Sequence, residues 1–267
     1  MSTYFQKALA RMGVPAAVAG RAEARGHYVD TTPGQQVESR GAVPRSVWLV
    51  VQGVASCQVR LDTGPVETFT LFGPGSWFNE SQAVFERPSV VDIVTATPAT
   101  LFELDKESFR ALLSEEPDFL AAMMGLAAFR TVRLLEAMAV YKHGSPLLRL
   151  AFVLGHFAEA FDPDNGFSEG AIDVQQALEL ATSTHTLASL ANTSRTVISE
   201  LLAQVGDAGL IERRYGRVIL NRYRSGWIRV RQSLLAGGAL PANWGLPQLL
   251  QAMAQNGGAQ PGALLAG

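Results

Sequence analysis

One cysteine, Cys57, stands in 267 residues. A lone thiol excludes an intrachain disulfide and any cluster that draws several cysteines from one chain. It falls in VVQGVASCQVRL, a strand-like stretch where a buried inert thiol is the first reading and a redox sensor the second. Histidine is scarce as well. His27, His143, His156 and His185 show no metal-ligand spacing, so no metal site is expected. Long apolar runs are missing, because no stretch reaches the roughly 18 residues a membrane span needs. The N-terminal MSTYFQKALARMG lacks the continuous apolar core of a signal peptide. It reads as a small surface helix of a cytoplasmic protein with no membrane partner.

A bulk excess of positive charge is missing too. The net charge is −2, which alone argues against a nucleic-acid partner. Its distribution argues the other way. Residues 183–231 hold Arg195, Arg213, Arg214, Arg217, Arg222, Arg224, Arg229 and Arg231 against Glu200, Asp207 and Glu212, a local net of +5. All of that basic charge is arginine, the side chain best suited to gripping phosphate. Beyond residue 235 the chain has no charge at all, and it reads as a mobile tail with a short helix over 246–255.

The apolar fraction of 48% is enough for proper cores, and the length suits two modest domains plus a tail. From about residue 25 to 104 the chain reads as short strands between turns. SVWLVVQGVASCQVRL, VETFTLF, SVVDIVTAT and TLFELD are separated by TGP, FGPGS, RP and TP. That pattern predicts an all-β roll. The period then lengthens. KESFRALLSEEP is a short helix, and from Pro117 about 25 residues run without another proline. Apolar residues step round this rod: Phe119, Met123, Leu126, Phe129 and Val132 with Leu120, Met124, Leu134, Leu135 and Met138. Burial on two sides would explain them, against the roll and against the same helix of a second copy. Burial wholly within one chain is the alternative.

His143-Gly144 ends the rod, Ser145 caps the next helix, SPLLRLAFVLGHFAEAF, and Pro146 takes its first position. The loop DPDNGFSEG and strand-like AIDV and LELAT follow. Then THTLASLANTSRTVISELL sets two short helical patterns back to back around Ala191-Asn192-Thr193. Leu187 and Leu190 would face inward with Val197, Leu201 and Leu202, while Ala188 and Ala191 allow a close crossing. Asn192 tolerates the left-handed turn between them. This is a helix-turn-helix layout, capped by Ser183 and followed by AGLIERRYGRVILN, a hairpin or wing around Tyr215-Gly216. Its second helix exposes Ser194, Arg195, Thr196, Ser199 and Glu200, the residue types that read base edges in a major groove. Thr184, His185, Arg213, Arg214 and Arg217 are the candidates for phosphate contact.

The chain at this point resembles the CRP/FNR family of bacterial transcription regulators. LASLANTSRTVISELLAQVGDAGLIERR carries the likeness in the second half, VWLVVQGVASCQV and FGPGSWFNES in the first. The resemblance runs over about residues 20–230 in one order. It implies an α+β chain with an N-terminal, jelly-roll-like β-roll of cyclic-nucleotide-binding form (1–116), a dimerisation helix (117–142) and a winged helix-turn-helix (143–235), ahead of the tail (236–267). It further implies a homodimer joined through residues 117–142, binding a two-fold-related promoter site on double-stranded DNA and acting on RNA polymerase. By position Arg195 matches a base-reading arginine of the family, but Thr196 stands where Glu is frequent and Glu200 where many members carry Arg. Glu200 either reads a base or holds a local basic side chain.

The same resemblance places a small-effector pocket over Asn79, Glu80, Ser81, Arg87, Ser89, Val90 and Val91. Glu80 matches the carboxylate that binds ribose, and Asn79 replaces the expected glycine before it. The phosphate arginine is absent, its place falling on Ser89 or Val90, with Arg87 the only cation nearby. Burying a phosphate with no paired charge is costly, so cyclic AMP is expected to bind weakly or not at all, and no cofactor is called for. Otherwise Glu80 is a turn-capping carboxylate inherited with the fold. Two rival functions stand beside the regulator: an effector-binding module that signals through protein contacts, and a cupin-type metalloenzyme. The arginine excess counts against the first. The single roll histidine, His27, counts against the second, and no enzyme is expected.

Overall fold

The computed structural model describes residues 3–60, 62, 64, 66–160, 178–220, 224–235 and 245–254. Two short helices open the chain, α1 (Tyr4–Arg11) and α2 (Ala16–Glu23). Strands β1 (Gly26–Thr31), β2 (Gln36–Glu38), β3 (Ser46–Gln52), β4 (Ala55–Arg60), β5 (Val66–Phe72) and β6 (Trp77–Phe78) follow. Helix α3 (Glu80–Phe85) leads to β7 (Asp92–Thr95) and β8 (Ala99–Asp105). One four-stranded sheet runs β1-β8-β3-β6 and the other β2-β7-β4-β5, with every pairing antiparallel.

The first sheet is covered on both sides, which is why SVWLVVQ is nearly continuous in valine and leucine. Val50 and Leu101 meet Ala55, Cys57, Ile93 and Phe78 between the sheets. On the other face Val47, Leu49, Phe102 and Leu104 meet a layer of helices. The short N-terminal helix lies in that layer with one face buried. Phe5, Ala8 and Leu9 of α1 are buried, with the Phe5 ring 4.1 Å from that of Phe102. Thr3 caps the helix by accepting from the Gln6 N–H. Helix α2, with Gly20 in its middle, and the six-residue α3 were not anticipated from periodicity.

Helix α4 (Lys106–Glu115) is capped by Asp105, which accepts from the Ser108 N–H at 2.8 Å. Helix α5 (Pro117–His143) starts on its proline and spans 27 residues, about 40 Å. Phe119, Ala122 and Met123 bury it against the roll's helical layer, and Val140 joins the core of the second half. Between them Met124, Val132, Leu134, Leu135 and Met138 lie exposed. Among the described residues no helix is long and apolar enough to cross a membrane.

The second half contains α6 (Pro146–Ala160), β9 (Leu178–Ala181), α7 (Thr184–Leu190), α8 (Arg195–Asp207), β10 (Glu212–Arg214) and β11 (Arg217–Leu220). Helices α9 (Arg224–Leu235) and α10 (Leu246–Ala254) complete it. Strands β10-β11-β9 form a small antiparallel sheet, closed at the tip by Tyr215 and by Gly216, whose φ of 67° suits glycine. Helix α9, unforeseen in the sequence, lies across α6 at Gly155. A Cβ there would meet the Trp227 carbonyl oxygen at 2.6 Å. The short helix expected over 246–255 is α10. The DPDNGFSEG loop, the AIDV stretch, Arg222 and the rest of the uncharged tail fall outside the described residues, apart from Gly245.

Candidate nucleic-acid interface and ligand site

Ser183 caps α7 by accepting from the Thr186 N–H at 3.0 Å, and Ser194 caps α8 through the Val197 N–H at 3.3 Å. Asn192 takes the left-handed turn between them with φ 47°. Leu187, Leu190, Ile198, Leu202 and Val205 are buried at the crossing, together with Ala188 and Ala191. Leu187, Leu190 and Leu202 of the expected inward set are buried, and two members differ. Ile198 is the buried residue of the first turn, while Val197 and Leu201 are only half-buried.

That geometry leaves Ser194, Arg195, Thr196, Ser199 and Glu200 exposed together on the opening turns of α8. The Ser194 oxygen is engaged in its cap. Arg195 and Glu200 have no ion pair among the described residues. Of the phosphate candidates, Thr184 and His185 are half-buried on the first turn of α7, and Arg213, Arg214 and Arg217 are exposed on the wing. Arg214 pairs with Glu212 at 2.7 Å and Arg217 pairs with Glu179. Arg213 has no ion pair among the described residues.

The arginine footprint is smaller than the sequence count. Arg231 is 1% exposed, its guanidinium 3.8 Å from Glu136 of α5 and over the Phe152 ring. Burial, then repulsion from Arg133, pulls its pKa down to about 9. His156 beside it is pushed down to about 3 by burial and by Arg231 and Arg133, so its ring is neutral. The Arg229 guanidinium donates to the Met253 carbonyl of α10 at 2.9 Å. These arginines tie α9 to α5, α6 and α10 instead of facing outward.

Three couplings were invisible in the sequence. Arg149 of α6 donates to the Gly144 carbonyl at 3.0 Å and to the Asn192 carbonyl at 2.9 Å, joining the end of α5 to the helix-turn-helix corner. Ser189 of α7 accepts from the Thr68 N–H on β5 at 2.7 Å and bonds the Glu67 carboxylate. Leu71 of the same strand is buried in the second half's core.

The third coupling lies at the expected effector pocket. Glu80 is buried and ion-paired with Arg130 of α5, which also donates to the Trp77 carbonyl. Burial lowers the Arg130 pKa to about 10, so it remains charged at neutral pH. The turn-cap reading of Glu80 gives way to this pair. Asn79 takes φ 70° and donates to the Glu38 carboxylate at 2.8 Å. The Trp48, Phe78 and Phe72 rings stack nearby within the roll. Of the seven pocket candidates, Ser81, Arg87, Ser89 and Val90 share one groove. Asn79, Glu80 and Val91 are not part of it.

Residues 29–116 match the family model of the Cyclic nucleotide-binding domain. The chain is 24% identical over 183 residues to the CRP-like cAMP-activated global transcriptional regulator of Mycobacterium tuberculosis, spanning 68% of this chain and 79% of that one. Among solved structures, the c-di-GMP responsive global regulator CLP of Xanthomonas campestris superposes with a TM-score of 0.59. It is 21% identical, covering 78% of this chain and 99% of that one. FixK2 of Bradyrhizobium japonicum superposes at 0.62, with 14% identity and coverage of 81% and 99%. The chain has the fold of the CRP/FNR regulators. In this chain Ser194, Arg195, Thr196, Ser199 and Glu200 of α8 and its cap are exposed.

Proposed function

We propose that the protein is a sequence-specific, DNA-binding transcription regulator that works as a homodimer in the cytoplasm, not a catalyst. The observation that carries this is the first two turns of α8. Arg195, Thr196, Ser199 and Glu200 stand exposed there, and neither charge is spent on an ion pair among the described residues. A helix tip of this kind fits a major groove, where Arg grips guanine, Glu accepts from cytosine and Thr meets a thymine methyl. Arg213 on the wing supplies phosphate contact, while Arg214 and Arg217 must first leave their glutamates.

The dimer is supported by the apolar strip Met124, Val132, Leu135 and Met138, exposed on one chain and suited to burial by a second α5. Two-fold pairing would present two α8 helices to half-sites about one DNA turn apart. Likeness to a regulator that is cAMP-activated does not carry cyclic AMP over to this chain. Glu80 is held by Arg130, and Ser89 or Val90 stands where the phosphate arginine is required. RNA polymerase is the downstream partner of this reading.

Selection of duplexes from a random pool by the full chain tests the proposal. Enrichment of one sequence with two related halves is expected. A pool that stays random after repeated rounds at moderate salt contradicts it.

A further inference from the structure

Four of the seven effector-pocket candidates, without Glu80, line a groove on the roll. Its walls are the loop at Arg40 and Gly41 and the segment from α3 to β7, and its volume is about 540 Å3. That is the size range of small-molecule sites. The two walls are fastened to each other. The Gly41 N–H donates to the Ser89 carbonyl and the Ser89 N–H to the Ala42 carbonyl, both at 2.8 Å. Asp92 fixes the near wall by accepting from the Arg40 N–H at 2.9 Å. The groove is therefore held open by backbone.

Its surface is unusual in two respects. Phe85 and Val90 are 72% and 70% exposed, beside Pro88, so apolar side chains along the groove face solvent. Two arginines, Arg40 and Arg87, line the rim with no carboxylate among the lining residues. The acidic neighbour of Arg87 is used elsewhere. Glu86 adopts φ 53° and turns to Arg110 at 2.5 Å and Lys106 at 3.6 Å on α4. The pairing with Arg110 and Lys106 holds its carboxyl below the usual range. Arg87 has no ion pair among the described residues, and the Arg40 guanidinium reaches only the Arg60 carbonyl at 3.5 Å.

We propose that this groove binds a small organic anion with an apolar acyl or aromatic body, its acid group clamped by Arg40 and Arg87 and its body laid on Phe85 and Val90. A guanidinium pair grips a carboxylate, sulfonate or phosphate head in two-point fashion. The exposed phenyl and valyl surfaces gain from any apolar body that excludes water. The site deepens the effector half of the regulator reading, and it rests on that reading only for its consequence, not for its chemistry.

The probe is 8-anilinonaphthalene-1-sulfonate, titrated into the full chain with fluorescence as readout and no DNA present. Saturable binding of one molecule per chain is expected, with decanoate displacing it and inorganic phosphate failing to. Arg87→Ala and Phe85→Ser should each raise Kd about tenfold or more. Both side chains are exposed, so neither change removes core. Met124→Ser on α5 should leave Kd unchanged, which separates the groove from the exposed helix strip. Unsaturable binding, equal displacement by phosphate, or a Kd indifferent to Arg87 and Phe85 overturns the groove. DNA binding of the same samples is scored separately. Groove binding without DNA binding overturns the regulator reading alone, and the converse overturns the groove alone.

Discussion

The Thr68 N–H on β5 donates to the Ser189 hydroxyl oxygen on α7 across 2.7 Å, with the Glu67 carboxylate bonded to the same hydroxyl. One serine of the helix-turn-helix is thus stitched into an edge strand of the roll, and Leu71 nearby is shared with the second half's core. Ser189→Ala leaves the Thr68 amide without that acceptor, a loss of about 1–2 kcal/mol. Hydrogen exchange at Thr68 and along α7 should speed up together. An amide at Thr68 that exchanges as slowly in the variant would show that the contact couples nothing.

The Glu80–Arg130 pair makes a second prediction. Removing either partner leaves a buried charge, so Glu80→Gln and Arg130→Met should each cost about 2 kcal/mol, the lower figure reflecting the partial exposure of Arg130. Because the two losses are one interaction, the double variant should lose clearly less than their sum. Thermal melts measure all three. Cyclic AMP at about 1 mM should not raise the wild-type Tm, since a ligand stabilises only the state that binds it. Additive losses, or a clear rise with cyclic AMP, contradict the assignment of Glu80 to Arg130.

Cys57 is buried between the sheets, and burial, helped by Asp92, pushes its thiol up to about 11. At pH 8 roughly one native molecule in a thousand carries the thiolate, against about one in four unfolded chains. Iodoacetamide should therefore label the native protein very slowly and the urea-unfolded chain readily. The sign of the linkage follows: the unfolded thiol ionises first, so this contribution to stability is lost as pH rises from about 8.5 towards 11. Rapid labelling of the folded protein at pH 8 would restore the redox-sensor reading.

Helix α5 exposes Met124 on one turn and Leu135 three turns later, at 63% and 61%. Leu135→Glu places a charge where the proposed partner helix packs, and should convert a dimer to a monomer in sedimentation experiments. Each chain should keep its fold, because Leu135 is outside the core. A wild-type protein that is already monomeric at micromolar concentrations contradicts the dimer.

Much of this was legible in the sequence because it is local. Valine-rich runs between turn residues mark β3 and β4, Pro117 marks the start of α5, and Ser183, Asn192 and Ser194 mark the boundaries of the helix-turn-helix. What failed was non-local or short. Helix α1 has only three buried side chains, and nothing in YFQKALAR says that Phe5 will rest on Phe102, which lies 97 positions away. Arg130 sits in FRTVR like any solvated charge, and its partner Glu80 is 50 residues earlier. Arg231 and Arg229 counted as DNA-facing because composition cannot distinguish an arginine aimed at Glu136 or Met253 from one aimed at phosphate. The groove candidates divided for a related reason. Asn79 and Glu86 flank α3 with left-handed backbone, and at Glu86 nothing in the side-chain type signals it.

The most direct measurement compares Arg195→Ala with Arg213→Ala on the selected duplex and on a set carrying each single base change, by fluorescence anisotropy over a range of salt. Arg195→Ala should cost about 1–3 kcal/mol on the selected duplex and erase the preference at one base position in each half-site, with the salt slope nearly unchanged. Arg213→Ala should weaken all duplexes evenly and reduce the salt slope by about one. If both variants weaken every duplex to the same extent, α8 does not read sequence in this protein.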